Sequence, residues 1–341
     1  MREWDKMATI DTQHHAGSAT ERRVQWWAPA IKARETGLIV IILTLFTVMS
    51  FISPYFLTVD NLRAMAMAFA VESIVVVGMT ILLISGGIDL SVGSVTALAM
   101  VVAGWLFLNG IDPWAAAAFA IAVTTCIGMF MGFLTTVVGL HHFIVSLGVM
   151  VIARGVCLLA TGGRPLGLFS LPPEFKFIGQ GAVYGIPLVI IIFVVVVVVV
   201  SFDFLLRRTT AFRKVFYTGS NPKAAAYSGI RVGRVVFATS TLCSALCGVA
   251  GVIYMARFGS AQPSFGVGME LNVIAAAVIG GASLSGGAGT IFGAILGAVL
   301  LSVVSSSLAL LNVSVYWQDI IKGSILLTAV LFDHYLVKRR R

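Results

Sequence analysis

Charge is what this sequence has least of. Asp, Glu, Lys and Arg make up 11% of its 341 residues, against about 25% in soluble domains. Hydrophobic residues make up 59%, and the mean hydropathy is +1.00. So few polar groups do not cover a water-facing surface, which makes membrane lipid the expected solvent. Acids are scarcer than bases, 14 against 23, and the net charge is +9. That excess needs no nucleic acid to explain it, because membrane chains keep Lys and Arg on the cytoplasmic side. Cysteine is sparse. Cys126, Cys157, Cys243 and Cys247 all fall inside apolar runs, which excludes a disulfide framework. Cys243 and Cys247 lie one helical turn apart, with no His or acid beside them, and read as packing residues rather than metal ligands. No Gly-Lys dipeptide occurs, so the phosphate-cradling loop that ends in Gly-Lys-Ser/Thr is excluded. There is no His-Glu-x-x-His and no constellation for catalysis. The chain reads as no enzyme, with no metal and no cofactor of its own.

What is present is a series of apolar runs. A spanning helix needs about 20 mostly apolar residues in a row. Ten segments emerge: Thr36–Ile52, Ala64–Ile84, Val92–Leu108, Trp114–Val138, Phe143–Ala160, Tyr184–Leu205, Val235–Ala256, Leu271–Gly280, Thr290–Leu310 and Val315–Phe332. The eighth is too short to span alone; it is a half-helix or borrows residues from Gly266 onward. The nine prolines fall in loops or near helix ends, where a missing N–H costs little. The expected class is an all-α, polytopic transmembrane bundle with about ten spans.

Charge orients it. Six basic residues precede the first span, seven lie in 206–234, and four close the chain; the opposite loops hold Arg63, Arg164, Lys176 and Arg257. Seventeen against four predicts that both termini are cytoplasmic. The chain divides into an N-terminal tail (1–35) without a cleavable signal peptide, a permeation domain (36–333) and a basic tail (334–341). The tail's Val24–Lys32 end, with Trp26 and Trp27, is expected on the membrane surface.

The loop 206–234 is the largest polar island, with no Asp or Glu. Within it, Asn221-Pro222 fits a helix start and Gly229 a stop. The short alanine-rich helix between them offers small side chains that fit closely into a partner's groove; the plainer alternative is a solvated basic loop near lipid. Elsewhere the chain repeats itself. Gly86-Gly87-Ile88-Asp89-Leu90-Ser91-Val92-Gly93 echoes Gly280-Gly281-Ala282-Ser283-Leu284-Ser285-Gly286-Gly287. Glycine pairs allow a helix to break, and Ser91 and Ser285 are expected to cap the helices that follow. Broken helices of this kind often line a substrate path.

Five charges sit in or beside apolar spans, each needing a partner or a wet cavity. Asp319 and Lys322, three apart, are expected to pair. Glu72 either lines a path or bonds a neighbouring helix. Asp89 reads as a structural cap, and Arg154 as a donor to helix-end carbonyls. His141 and His142 read as surface histidines. Asn272 and Gln318 are amides suited to sugar hydroxyls. The candidate path residues are therefore Glu72, Asp89, Ser91, Asn272, Ser285 and Gln318.

At these motifs the chain resembles the inner-membrane permeases of bacterial ABC sugar importers, the ribose/xylose/galactose/autoinducer-2 branch. The resemblance runs from about Asn61 to Val330. It is carried by Gly78-Met79-Thr80, Gly86–Ser94, Leu147-Gly148, Arg154-Gly155, Thr161-Gly162-Gly163-Arg164-Pro165, Gly219–Gly229, Gly259-Ser260-Ala261-Gln262-Pro263, Ile279–Gly289, Trp317-Gln318 and Lys322-Gly323. It implies a multi-pass protein of the bacterial inner membrane and a second permease copy or close relative beside it. It also implies a cytoplasmic ABC ATPase that binds ATP and Mg, and a periplasmic sugar-binding protein that delivers a monosaccharide. On that likeness Arg213, Asn221, Pro222, Ala224, Ala225, Ser228 and Gly229 form the coupling segment. His141-His142 departs from the family, which usually has Pro before Phe-Ile. Two alternatives stay open: an ion-coupled secondary transporter using Glu72 and Asp89, and an ABC permease for branched-chain amino acids.

Overall fold

The computed structural model describes the backbone of residues 27–181 and 189–338, and the side chains of residues 35–181 and 193–331. The long helices are α1 (Trp27–Ile52), α2 (Val59–Ile84), α3 (Val92–Leu108), α4 (Pro113–Phe133, continued by one π-helical turn, Leu134–Val138), α5 (His142–Thr161) and, past a short α6 (Pro173–Gln180), α7 (Val189–Arg208). Two short helices follow, α8 (Thr210–Ser220) and α9 (Pro222–Tyr227). The chain then forms α10 (Val232–Phe258), α11 (Met269–Ile279), α12 (Ile291–Leu310) and α13 (Val315–Lys338). The one ladder among the described residues is two residues wide: β1 (Leu166–Gly167) pairs antiparallel with β2 (Ser260–Ala261).

Among the described residues, six stretches are long and apolar enough to cross a membrane: Glu35–Ile52, Val59–Ile84, Pro113–Val138, His142–Thr161, Val232–Phe258 and Ile291–Leu310. Helices α3 and α11 are apolar but shorter. The protein is a multi-pass, all-α membrane protein. Residues 1–26, most of the expected tail, lie outside the described residues, as do 182–188 at the start of the sixth predicted segment and 339–341 at the end. Helix α1 begins at Trp27, nine residues before the predicted first span, and α13 runs to Lys338 inside the predicted basic tail.

Local chemistry sets the helix ends. The Asp112 carboxylate accepts from the amides of Trp114 (3.0 Å) and Ala115 (3.1 Å) at the start of α4, where Pro113 takes the first helical position. The Thr58 hydroxyl does the same for α2 and the Thr290 hydroxyl for α12.

Helix α10 is the centre of the bundle and packs against α2, α3 and α4. Close approach rests on small residues, as expected where lipid supplies no hydrophobic drive between helices. A β-carbon on Gly128 of α4 would lie 2.8 Å from the Thr241 Cα of α10, and one on Gly251 of α10 would strike the Thr96 carbonyl of α3. Cys243 and Cys247 are buried, unbridged packing residues of the same helix.

Helix α11, with 11 residues, is about 16 Å long, half of a hydrocarbon core about 30 Å thick. It does not extend back to Gly266. Instead the chain descends beside α3 without helical structure: Ala261 lies against Gly104, while Gly266 packs against Gly93 near the start of α3. The Arg154 guanidinium clamps this descent by donating to the carbonyls of Pro263 (2.6 Å) and Phe265 (2.7 Å). Those carbonyls are loop groups rather than helix ends.

Candidate functional site

Both glycine repeats form helix stops of one design. At the end of α2, the Gly86 amide donates to Leu83 (2.9 Å) and the Gly87 amide to Leu82 (3.0 Å). At the end of α11, the Gly281 amide donates to Val278 (3.0 Å) and the Ala282 amide to Ala277 (2.9 Å). Gly86 (φ +93°) and Gly281 (φ +108°) are the left-handed residues that turn the chain, a backbone position that glycine takes at no steric cost. The stops correspond with Gly86 opposite Gly281, one residue off the sequence match.

Past each stop comes a second shared bond. Asp89 Oδ1 accepts from the Ser91 amide (2.7 Å), as Ser283 Oγ accepts from the Ser285 amide (3.3 Å). The expected serine caps are not formed. Ser91 Oγ donates to Asp89 Oδ1 (2.6 Å), and Ser91 sits at helical backbone angles (φ −82°, ψ −9°) rather than the extended ones of a capping residue, so it makes no capping bond to α3. Ser285 lies six residues ahead of α12, which Thr290 caps instead. Asp89 is fully buried, and its Oδ2 has no hydrogen-bond partner.

The two stops meet. The Gly287 amide donates to the Ile84 carbonyl, the last helical residue of α2, at 2.8 Å. Between them sits Gly219, near the end of α8. A β-carbon there would strike the Ile84 carbonyl and lie 2.6 Å from the Gly287 nitrogen. The basic loop thus enters the bundle at the junction of the repeats. Its fold is richer than expected, with two helices rather than one. Thr209 caps α8 by accepting from the Phe212 amide (3.4 Å). Arg213 is exposed on α8, whereas Val215, Thr218 and Gly219 are buried.

Helix α9 starts at Pro222 with the Asn221 Oδ1 accepting from the Ala224 amide (3.0 Å), and it stops at Gly229 (φ +80°). Ala224, Ser228 and Gly229 are exposed, and a β-carbon on Gly229 would meet nothing within 4 Å. Ala225 faces the other way, 4% exposed, and seats the helix on its own bundle.

His142 is likewise no surface residue. It is buried, with Nδ1 2.9 Å from the Ile88 carbonyl and Nε2 3.2 Å from Ser240 Oγ. It ties the first break to α10, and the exposed His141 precedes it.

A second site lies in a cavity of about 440 Å³ between α2, α11, α12 and α13. Asn61, Ala64, Met65, Ala68 and Glu72 line it from α2 at positions i, i+3, i+4, i+7 and i+11, a single helix face. Ala298, Leu301, Ser302, Ser305, Ser306 and Ala309 do so from α12 with the same periodicity. The two helices run antiparallel and are joined by Ser306 Oγ donating to Asn61 Oδ1 (2.9 Å) and Ser302 Oγ to the Met65 carbonyl (3.3 Å). Asn272 and Lys322 complete the lining and also line a neighbouring cavity of about 350 Å³ with Asp319. Lys322 does not pair with Asp319 as expected. It lines the cavity together with Glu72.

Of the six predicted path residues, Glu72 and Asn272 are brought together here. Asp89, Ser91 and Ser285 belong to the glycine breaks. Gln318 stands apart, with its Nε2 donating to the Val313 carbonyl (2.9 Å). The serine face of α12 was missed in the sequence, although the spacing of Ser302, Ser305 and Ser306 with Ala298 and Ala309 was there to be read.

The family described as "Branched-chain amino acid transport system / permease component" matches residues 61–330. The ribose import permease protein of Escherichia coli (strain K12) is 36% identical over 302 residues, 88% of this chain and 94% of its own. That of Bacillus subtilis (strain 168) is 35% identical over 297 residues, 87% and 90% respectively. The D-allose transport system permease protein of Escherichia coli (strain K12) is 34% identical over 307 residues, 89% and 92%. No solved structure matches. With the family covering 61–330 and such relatives spanning nearly their whole length, the chain belongs to this family of transport-system permease components.

Proposed function

We propose that this chain is the membrane-spanning subunit of an ATP-driven importer of a monosaccharide. The observation that carries the reading is the likeness, above 30% identity and over most of both chains, to permeases named for ribose and allose. The chain is no enzyme: in such systems the ATPase is a separate subunit. ATP and Mg belong to that ABC ATPase, and a periplasmic sugar-binding protein delivers the solute. A second permease copy completes the pair in the bacterial inner membrane. On this reading the chain crosses the membrane ten times, the eighth crossing made by the non-helical descent and α11 together, both termini are cytoplasmic, and the loop 206–234 faces the ATPase. The excess of basic residues on that side supports the orientation.

Coupling falls to the outward side of α8 and α9, with Arg213, Ala224, Ser228 and Gly229 exposed and Asn221 and Pro222 fixing the start of α9. An ATPase with different affinity for two arrangements of this segment shifts the bundle between them. Because Gly219 packs against both glycine breaks, movement of α9 reaches both at once. The path itself runs through the cavity of Glu72 and Asn272. Asp89, Ser91 and Ser285 act at the breaks, and Gln318 at the base of α13.

The decisive experiment is reconstitution with the ATPase and binding protein in proteoliposomes. ATP-dependent uptake of a sugar is expected. Accumulation by this chain alone under a proton or sodium gradient would establish the ion-coupled alternative, and uptake of leucine in place of sugar the amino-acid one.

A further inference from the structure

We propose that the cavity between α2, α11, α12 and α13 is a binding station for a neutral sugar within the permease, built on Glu72, Asn272, Ser305 and Lys322. The inference rests on the reading of the chain as a sugar permease and adds a site to it.

Hydrogen-bonding capacity carries the argument. Ser302, Ser306 and Asn61 also line the cavity, but their side chains are already engaged, with the Met65 carbonyl, with Asn61 and with the Phe56 carbonyl. The side chains of Glu72, Asn272, Ser305 and Lys322 make no hydrogen bond within the protein and face the same space. A carboxylate offers two acceptor oxygens, an ammonium three donors, and an amide and a hydroxyl both kinds. A pair of neighbouring sugar hydroxyls matches this set: both donate to the Glu72 carboxylate while their oxygens accept from Lys322 and Asn272. Polar groups left unbonded in an apolar surround are costly, so a solute that satisfies all four is favoured over one that cannot.

Charge selects the class. A neutral solute brings no charge of its own to be matched inside the cavity, whereas an anion or cation needs a counter-charge there. Size agrees, since about 440 Å³ lies within the range of small-molecule sites, about 300–1,000 Å³. The long axis agrees too. Asn61 and Ser306 mark one end and Glu72 and Ala298 the other, eleven residues apart on α2, or about 16 Å. The walls between them are alanine and serine, which leave room for a ring.

The test uses the assembled complex with Ser305→Cys in a Cys126→Ala background; Cys126 is the exposed native cysteine, and the other three are buried. A small membrane-impermeant methanethiosulfonate reagent reports access to the cavity. D-ribose, D-allose and L-arabinose are the probes, with leucine as the contrasting solute. With a sugar at about ten times its dissociation constant, labelling is expected to slow by about tenfold. Adding Glu72→Gln should abolish that protection while labelling without sugar continues. Absence of labelling, or labelling that no sugar slows in a complex that still imports sugar, overturns the station alone. Protection by leucine and not by sugars overturns the station's solute class and the transport reading together.

Discussion

The Gly287 amide donates to the carbonyl of Ile84, 2.8 Å away and 203 positions earlier in the chain. That bond hangs the second glycine break on the final turn of the helix leading into the first. Gly219 fills the notch beside it, with no space for a side chain. Gly219→Ala therefore forces backbone apart at two points, the Ile84 carbonyl and the Gly287 nitrogen, and overpacking of this kind typically costs about 1–3 kcal/mol. Thermal unfolding of the purified permease should fall accordingly, and ATP-driven uptake should drop more than the amount of protein in the membrane. A variant with wild-type melting and uptake would remove the junction from the mechanism.

The outward side of α9 gives a second prediction. Ala224→Glu and Gly229→Trp are expected to abolish uptake while the permease still reaches the membrane, because both place bulk where a partner must approach. The tryptophan also occupies a left-handed backbone position at about 1–2 kcal/mol, so Gly229→Asn, which tolerates that conformation, is the control and should retain more activity. Transport surviving both bulky changes would rule out docking at this helix.

His142 should matter to stability. Replacing it with Ala removes the bridge from the Ile88 carbonyl to Ser240; each keeps a second bond, Ile88 from Ser146 Oγ (3.3 Å) and Ser240 to the Gly128 carbonyl (3.1 Å), so the cost is that of the lost bonds, about 0.5–1.5 kcal/mol each. His142→Asn, able to keep one of the two contacts, should lie between Ala and wild type in a melting experiment. Equal melting of all three would show the bridge to be energetically idle.

Arg154→Ala should loosen the descending loop, because the Pro263 and Phe265 carbonyls lose a charged donor. Hydrogen exchange over residues 262–268 should rise several-fold, and Arg154→Lys, with one point charge in place of a planar fork, should restore only part of the protection.

Orientation is checked with Lys223→Cys in a Cys126→Ala background. An impermeant thiol reagent should fail to label it in intact cells and succeed in inverted vesicles. The reverse pattern would turn the whole arrangement over.

Much of the helical order was legible because long apolar runs have few other fates. Helices occupy all ten predicted segments, apart from 184–188, which lie outside the described residues. The Asn221 cap and the Gly229 stop were legible because each residue type does a local job that needs no neighbour from afar. What stayed hidden depends on distant partners. Nothing near His142 in sequence announces Ile88 or Ser240. Ser91 looked like a cap because serine caps helices, but its backbone is already helical (φ −82°, ψ −9°), and a cap needs the extended conformation. The Asp319–Lys322 pair looked sound from spacing alone, but spacing does not show that the lysine lines the same cavity as Glu72. In α12, the serine face was visible as a periodicity yet was read only as apolar length.

The contacts of α10 have a mechanical corollary. Glycine lets this helix touch α3 and α4 backbone to backbone, and an interface that tight neither slides nor rolls without opening voids. It behaves as a stator. Whatever rotates during a transport cycle must come from the looser flank, where a half-length helix and the serine-faced α12 border an open chamber. The fold thus keeps its stiffest member away from its hollow.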